Sequence, residues 1–435
     1  MLQLDLFSKP AEPTEAAIGS MRGDNSTTFT DNLSLPVHRW FRYSAGFSAA
    51  WVASEIKRLG LTERNRVLDP FAGAGTTLVE CEQRGVSSVG LDPHPFVSRV
   101  ALAKLEWKTD VNAFRLKIRR ILSLAEEIAP DLTAYPELIR TCYSPENLSA
   151  LDTLRRAVER EYDDTPQARL SWLVMAAIIR PTSSAGTAQW QYVLPRKTKK
   201  KVLHPMEAFQ ATAALFASDM ELAQARRQGD TTAEFYAADA RDCAPVEDAS
   251  VDCVLTSPPY PNNYDYADAT RLEMCFFQEI EGWGDLQEKV RRHLVRACSQ
   301  HVPPRSIDLG VVLASPELAA IRSELSEVCE QLTALRMEKG GKKTYNNMIA
   351  CYYLDMARTW RAMRRVCKHG AQVCFVIGDS APYGVHAPAV KWMAELALAA
   401  GFKSWTFEKI RDRNLKWKNR KHRVPLQEGR LWVRG

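Results

Sequence analysis

A short apolar segment, RVLD at 66–69, runs directly into a glycine-rich turn, PFAGAG at 70–75. Residues 76–84 have helical character, Gly85 ends that helix, and a second apolar segment at 88–91 leads to Asp92. A strand, a helix and a strand in such close succession form a βαβ unit, whose two strands pair in parallel. The segment therefore predicts an α/β fold, because helices must cover both faces of a parallel sheet.

Further strands and helices alternate along the chain. We expect strands at 234–237, 251–255 and 373–377, helices at 353–366 and 389–400, and a terminal hairpin of 404–409 with 429–434. This alternation predicts a doubly wound, mostly parallel sheet. Ligands of such sheets bind at the carboxyl ends of the strands, where the turns at 70–75 and 257–260 lie.

Two mainly helical blocks interrupt this pattern, at 112–229 and at 267–342. The chain of 435 residues is longer than one average domain. We therefore expect a polar N-terminal tail at 1–35 and an α/β domain formed by 36–111 and 230–435. The block 112–229 is interpreted as a helical insertion, and 267–342 as a second helical insertion within that domain.

Positive charge is concentrated in two places. Five of the six residues at 196–201 are cationic, and the segment 403–435 has eleven Lys or Arg against three Asp or Glu, interleaved with tryptophans. Cations among aromatic rings suit phosphates and bases, although either stretch could be an ordinary solvated face. The predicted nucleic-acid contacts are Trp190, Arg196, Lys197, Lys199, Lys200, Lys201, Lys418, Arg420, Lys421 and Arg423.

The ten cysteines include no C-x-x-C pair, so we expect reduced thiols and no metal site. No apolar run approaches the roughly 18 residues of a membrane helix, and the N-terminus does not have the pattern of a signal peptide. A cytoplasmic protein without a membrane partner is predicted.

The glycine turn is F-x-G-x-G, and Asp92 follows Gly73 by nineteen residues, at the end of the next strand. Glycine allows a ligand to approach the backbone, and a carboxylate at this position can accept both hydroxyl hydrogens of a ribose. The turn is neither G-x-G-x-x-G nor a P-loop ending in Lys-Ser/Thr. A nucleoside ligand without pyrophosphate is therefore favoured over a dinucleotide.

Together, DPFAGAGTT at 69–77 and TSPPY at 256–260 resemble the motifs of the amino-methyltransferase family of DNA methyltransferases. The resemblance covers roughly 36–109, 233–266 and 343–435. It implies the class I methyltransferase fold, a seven-stranded sheet whose last strand is antiparallel. It also implies S-adenosyl-L-methionine as cofactor, double-stranded DNA as substrate, and a prokaryotic restriction-modification or related role with a possible cognate restriction endonuclease. It makes 36–111 and 230–435 the catalytic domain and 112–229 the DNA-recognition region, although 267–342 could read the DNA instead.

The resemblance also assigns roles to single residues. The loop with Asp69 would hold the methionine part of the cofactor, Asp92 the ribose and Asp239 the adenine amino group. The segment 38–47 is similar to the family's upstream motif, and Gly378-Asp379 to a later, weaker one. The implied cofactor-binding residues are His38, Phe47, Asp69, Phe71, Ala72, Gly73, Gly75, Thr76, Asp92 and Asp239. Alternatives stay open: Asp239 could pair with Arg241, and Asp379 could cap a turn.

The turn at 257–260 suits methyl transfer to an exocyclic base amine, whose lone pair is delocalised into the ring. The Ser257 Oγ and the Pro258 carbonyl can accept the two amine hydrogens, Pro259 stiffens the turn, and the Tyr260 ring can stack on an extruded base. Asn263 and Tyr264 are predicted to line the base pocket. This chemistry needs no covalent intermediate, and neither Cys243 nor Cys253 lies in a Pro-Cys turn.

Within the family, Ser at the first position of the turn goes mostly with cytosine N4, and Asp or Asn mostly with adenine N6. Cytosine N4 is therefore the expected target, with adenine N6 as the alternative. A tRNA guanine-N2 methyltransferase shares similar motifs, but only about 35 residues precede the matching region, too few for the usual N-terminal RNA-binding domain. An alternative from another functional class is a non-catalytic DNA-binding protein that keeps the cofactor as a ligand. A nicotinamide oxidoreductase is a third alternative, which the spacing of the glycine turn disfavours.

Overall fold

The computed structural model describes residues 29–43, 46–188, 191–302, 307–341, 343–413 and 424–435. These residues divide into two compact units. The first unit comprises the described residues up to Glu55 with Leu102–Arg227 and Thr270–Gly282, and the second comprises Ile56–Ala101, Gln228–Ala269 and Trp283–Gly435. Each motif of the sequence lies wholly in one unit.

The second unit contains the main sheet. Numbered along the chain, its strands are β1 (Arg66–Asp69), β2 (Ser87–Leu91), β5 (Ala233–Tyr236), β6 (Val251–Thr256), β7 (Cys367–Gly378), β8 (Ser404–Arg413) and β9 (Leu426–Arg434). In the described chain these seven strands lie in the order β5-β2-β1-β6-β7-β9-β8. Strands β5, β2, β1, β6 and β7 are parallel, whereas β9 runs antiparallel to both of its neighbours. The prediction of a class I methyltransferase sheet is confirmed.

Helices pack on this sheet. Those of the second unit are α2 (Thr76–Gln83), α10 (Leu286–Lys289), α11 (Leu309–Ala314), α12 (Arg322–Glu338), α13 (Tyr345–Val366) and α14 (Ala389–Ala399). Helix α13 is buried along almost its whole length, and its Trp360 ring stacks on Phe375 of β7 with centroids 4.5 Å apart. The second predicted insertion, 267–342, is therefore a set of mostly short helices followed by α12, and it ends just before α13.

The first unit is mainly helical, as expected for the block 112–229. Its helices are α4 (Val111–Glu127), α5 (Glu137–Cys142), α6 (Pro145–Arg160), α7 (Pro166–Ile178), α8 (Pro205–Arg226) and α9 (Arg271–Phe276). Within this block, the segment 180–201 contains a two-stranded hairpin, β3 (Ala185–Thr187) with β4 (Val193–Thr198). Helices α1 (Ala49–Arg58) and α3 (Pro95–Leu105) each contain a boundary between the units.

Two further observations concern the described residues as a whole. All ten cysteines are buried free thiols, in agreement with the expectation of reduced cysteines. No helix in the described ranges combines the length and the apolar character needed to cross a bilayer.

Candidate active site

One buried carboxylate joins the glycine turn to the Ser-Pro-Pro-Tyr turn. Asp69 ends β1, and its Oδ1 accepts hydrogen bonds from the Phe71 N–H at 3.1 Å and from the Thr256 Oγ at 2.6 Å. Its Oδ2 accepts from the Thr77 Oγ at 2.7 Å. Because Thr256 immediately precedes Ser257, the two turns lie side by side at the carboxyl ends of β1 and β6. Asp69 is fully buried beneath the glycine turn, where it holds the two motifs together.

The glycine turn has the backbone that its sequence requires. Gly73 and Gly75 have φ of +51° and +82°, in the left-handed region that side chains disfavour. The Gly73 N–H donates to the Asp92 Oδ2 at 3.0 Å, and the His94 N–H donates to Oδ1 at 2.9 Å. The half-buried Asp92 carboxylate therefore lies against the turn at the end of β2.

Burial affects both carboxylates in the same direction. Desolvation raises the pKa of Asp92 from 3.8 to about 6, and hydrogen bonds from two backbone N–H groups limit the rise. The pKa of Asp69 is also raised to about 6 by burial, against the opposing effect of the Thr256 and Thr77 hydroxyls. A half-buried acid beside a glycine turn fits the ribose of a nucleoside cofactor, as the spacing of Asp92 predicts.

The Ser-Pro-Pro-Tyr turn is held by backbone carbonyls. The Ser257 Oγ and the Tyr260 hydroxyl lie 3.2 Å and 3.3 Å from the carbonyl oxygen of Val376, which belongs to the neighbouring strand β7. The Tyr352 hydroxyl donates to the Pro259 carbonyl at 2.8 Å. No donor among the residues that the structure describes reaches the Pro258 carbonyl. An oxygen acceptor is thus left available beside Ser257.

A cation covers the Tyr260 ring. The Arg413 guanidinium lies 5.0 Å from the ring centroid, in the range of a cation–π contact. Its Nη1 donates to the Asp379 carbonyl at 2.8 Å, and its Nε lies 3.4 Å from Glu428. Arg413 therefore fixes the ring from one side.

Comparisons with known proteins show which proteins this chain is similar to. The Type II methyltransferase M.BsoBI of Geobacillus stearothermophilus is 24% identical over 416 residues, covering 86% of this chain and 80% of the relative. The Type II methyltransferase M.AvaI of Nostoc sp. is 25% identical over 411 residues, covering 86% and 81%. A shorter similarity, 36% over 66 residues, joins 15% of the chain to 12% of the Type II methyltransferase M.MjaII of Methanocaldococcus jannaschii. The chain is a homologue of type II methyltransferases.

The similarity and the fold together confirm the resemblance to the amino-methyltransferase family. No protein-family model matches the chain. The two long alignments cover 86% of this chain and are therefore not restricted to its motifs.

Asp239 of this methyltransferase homologue is engaged by a neighbour. Arg241 donates to it through its backbone N–H at 2.8 Å and through its Nε at 2.9 Å. Arg241 also contacts the fully buried Asp355 of α13, which accepts from the Arg296 Nε at 2.9 Å. The ion-paired alternative for Asp239 is thus present in the structure, and its contact with the cofactor adenine stays a prediction.

Asp379 follows β7 in the position of the weaker motif, and it is buried. Its Oδ1 accepts from the Ala389 N–H at 3.0 Å, the first residue of α14. His386 approaches its Oδ2 at 3.4 Å. This carboxylate thus binds the first residue of α14, and the cap of a turn and a ligand contact both stay predictions for Asp379.

Two residues predicted to line the base pocket contact other groups of the protein. The Asn263 Oδ1 accepts from the Ser299 N–H at 2.9 Å and from its Oγ at 2.6 Å. Tyr264 is 5% exposed and packs edge-on against Tyr266 with centroids 4.5 Å apart. The Asn263 oxygen is thus already hydrogen-bonded and the Tyr264 ring is buried, and the contact of either side chain with a base stays a prediction. Tyr266 is the half-buried aromatic of this loop.

The upstream motif belongs to the first unit. Asp219 of α8 accepts from the Arg39 Nε and the Trp40 Nε1, each at 2.9 Å. The Trp40 ring stacks on Phe216 with centroids 4.4 Å apart. Lys104 donates to the His38 carbonyl at 3.0 Å, and burial lowers the pKa of this lysine to about 7. Trp40 and its neighbours are thus anchored on the helical block, and cofactor contacts of His38 and Phe47 stay predictions.

The predicted DNA contacts fall into three groups. Arg196, Lys197, Lys200 and Lys201 are exposed on and just after β4. The Lys199 Nζ instead donates to the Arg180 carbonyl at 2.6 Å, so it stabilises the first unit. The remaining residues lie outside the described residues: Trp190, Lys418, Arg420, Lys421 and Arg423.

A buried polar cluster near the Ser-Pro-Pro-Tyr turn was not predicted. Asp265, Cys298 and His301 place their potential ligand atoms within 4.8 Å of one another. Arg291 already neutralises Asp265, with its Nη2 at 2.7 Å, and lowers the pKa of that acid together with His301. The His301 nitrogens face Asp265 at 3.2 Å and the Val295 carbonyl at 3.1 Å. The cluster is thus internally paired and rigidifies the loop after Tyr260.

Proposed function

We propose that this chain methylates the exocyclic amine of a base extruded from double-stranded DNA, using S-adenosyl-L-methionine, with cytosine N4 as the target. One observation carries the proposal: a single oxygen, Asp69 Oδ1, is bonded to both the glycine turn and Thr256. A nucleoside cofactor held by the first turn would face an amine held by the second. Similarity to Type II methyltransferases supports a sequence-specific restriction-modification role beside a cognate nuclease.

The cofactor would supply an electrophilic methyl group on a positively charged sulfur. In this chain, Asp92 would accept the ribose hydroxyls, and the backbone at Gly73 and Gly75 would allow close approach. The Asp92 carboxylate is already oriented by two backbone N–H groups, so it needs little rearrangement on binding.

Ser257 would orient the amine. Its hydroxyl has one hydrogen, which it donates to the Val376 carbonyl, so its lone pairs can accept one amine hydrogen. The Pro258 carbonyl would accept the other. With both hydrogens held, the nitrogen lone pair would be directed at the methyl group that the cofactor supplies, and one amine proton would be released to solvent after transfer.

Tyr260 would hold the extruded base by stacking. Arg413 covers one face of its ring, so the base would use the other. Its hydroxyl bond to Val376 fixes the ring angle. Ser257 favours cytosine N4, because a neutral hydroxyl at this position is the variant that goes mostly with cytosine in the family.

Labelled methyl transfer from S-adenosyl-L-methionine into DNA and into tRNA tests this function. We expect incorporation into DNA, and a Ser257→Ala loss of turnover of about a hundred-fold or more, since it removes an acceptor used in the transition state. Ser250→Ala is the matched control, because Ser250 lies at the opposite end of β6 and donates to the Glu247 carbonyl. Incorporation into tRNA alone, or an unchanged Ser257→Ala rate, would overturn the proposal.

A further inference from the structure

We propose that Tyr352 is a positioning residue for methyl transfer: its hydroxyl holds the Pro259 carbonyl and thereby aims the Pro258 carbonyl at the target amine. The proposal rests on the proposed function, because it assumes that the Pro258 oxygen accepts an amine hydrogen. Neither motif of the sequence contains Tyr352, which lies in the middle of α13.

The contact is short and shielded from water. Tyr352 is 1% exposed, and its hydroxyl lies 2.8 Å from the Pro259 carbonyl oxygen. A buried tyrosine hydroxyl with one carbonyl partner has its hydrogen fixed by that bond. The side chain therefore acts as a rigid strut between the helix and the catalytic turn.

The two prolines transmit this restraint along the backbone. The ring of Pro259 fixes its φ, so the peptide plane that carries the Pro258 oxygen is rigidly attached to the Pro259 Cα. On the other side, Thr256 is tied to Asp69 and Ser257 to Val376. With the Pro259 carbonyl also held, the Pro258 oxygen has little freedom to rotate away from an amine.

Helix α13 holds Tyr352 in a fixed position. Tyr352 and Asp355 are three positions apart and thus share a face of the helix. Asp355 is fully buried and binds both Arg241 and Arg296, and Arg241 holds Asp239. One helix face therefore supports the catalytic turn through Tyr352 and the loop after β5 through Asp355.

The adjacent tyrosine provides a matched control. Tyr353 is fully buried and packs edge-on against Trp392 of α14, with ring centroids 4.8 Å apart. Its hydroxyl has no hydrogen-bond partner among the described residues. Tyr353→Phe therefore removes the same atom from the same helix without touching the catalytic turn.

The experiment compares Tyr352→Phe, Tyr353→Phe and wild type in single-turnover methylation of DNA, with cofactor affinity, DNA affinity and thermal midpoint measured in parallel. We expect Tyr352→Phe to slow methyl transfer by about ten-fold, the size of one lost orienting hydrogen bond. Its affinities for cofactor and DNA should stay within about two-fold of wild type. Tyr353→Phe should match wild type in all four measurements.

Two results would overturn the positioning role. One is a Tyr352→Phe single-turnover rate equal to that of wild type. The other is a loss of rate shared by Tyr353→Phe or accompanied by an equal loss of cofactor affinity, which would show a structural effect on α13. If the wild-type protein methylated no DNA, the proposed function itself would be contradicted. This outcome differs from the two results above, because both of them require an active wild-type protein.

Discussion

Asp92 illustrates how burial sets the chemistry of a single residue. Its carboxylate is half-buried, so the pKa is raised to about 6 even though two N–H groups donate to it. An ionised carboxylate can accept both ribose hydroxyls, whereas the protonated acid loses part of that capacity. If Asp92 binds the ribose as we propose, the charge of this one side chain would couple cofactor affinity to pH.

We predict that cofactor affinity is constant above about pH 7 and falls as pH drops through about 6. At pH 5 only about one-tenth of a group with that pKa is ionised, so the dissociation constant should rise by up to about ten-fold. Calorimetric titration with S-adenosyl-L-methionine from pH 5 to 8 measures this. Asp92→Asn should bind weakly at every pH, and Asp242→Asn, an exposed acid that accepts from the Ala244 N–H, should behave as wild type. A pH dependence retained in Asp92→Asn would assign the titration to another group.

Residue positions were predictable from sequence where a motif fixes both the residue type and its place. Asp92 and Ser257 lie at strand ends as expected, since local apolar patterning locates those ends. Tyr352, Arg413 and Asp219 were missed, because each acts through a contact distant in the chain. Asp239 and Asn263 show what sequence alone cannot predict. Both side chains could bind a ligand through their oxygens, but in the structure these oxygens accept hydrogen bonds from other residues of the protein.

At the scale of elements, the strands of the sheet were largely predicted from the sequence. Where the observed ends of an element differ from the expected ends, the difference has a physical reason. β7 was expected at 373–377 but spans Cys367–Gly378, because its first residues pair across a bulge with Val251. Helix α13 was expected at 353–366 but begins at Tyr345, since burial on all sides hides the amphipathic period of its first turns.

In the first unit, Asp219 of α8 anchors the segment that contains the upstream motif. This buried acid binds Arg39 and Trp40. We predict that Asp219→Asn lowers the free energy of local opening of the segment 37–43 by about 3 kcal/mol. This is the usual effect of breaking a buried set of charged hydrogen bonds. Hydrogen exchange of residues 37–43 should accelerate by about a hundred-fold, as the same energy implies. The control, Glu221→Gln, removes an exposed ion pair with Arg115 and should change little. Unchanged protection in Asp219→Asn would refute the anchoring role.

At the scale of the whole molecule, two units divide the motifs. The second carries the glycine turn, Asp92 and the Ser-Pro-Pro-Tyr turn, and the first carries the upstream motif and the exposed cations of β4. The sequence predicted the helical block, but not that the N-terminal segment and 270–282 join it. Contacts between distant segments determine that grouping, and no local pattern of residues encodes them.

The most direct test of the central claim is expression in a host free of DNA methylation, followed by base-resolved sequencing of its genome. The proposed function predicts N4-methylcytosine in one short, fixed sequence context, absent when Ser257→Ala is expressed. N6-methyladenine alone would contradict the cytosine assignment that rests on Ser257. A genome without either modified base, from cells containing the folded protein, would contradict DNA methylation by this site.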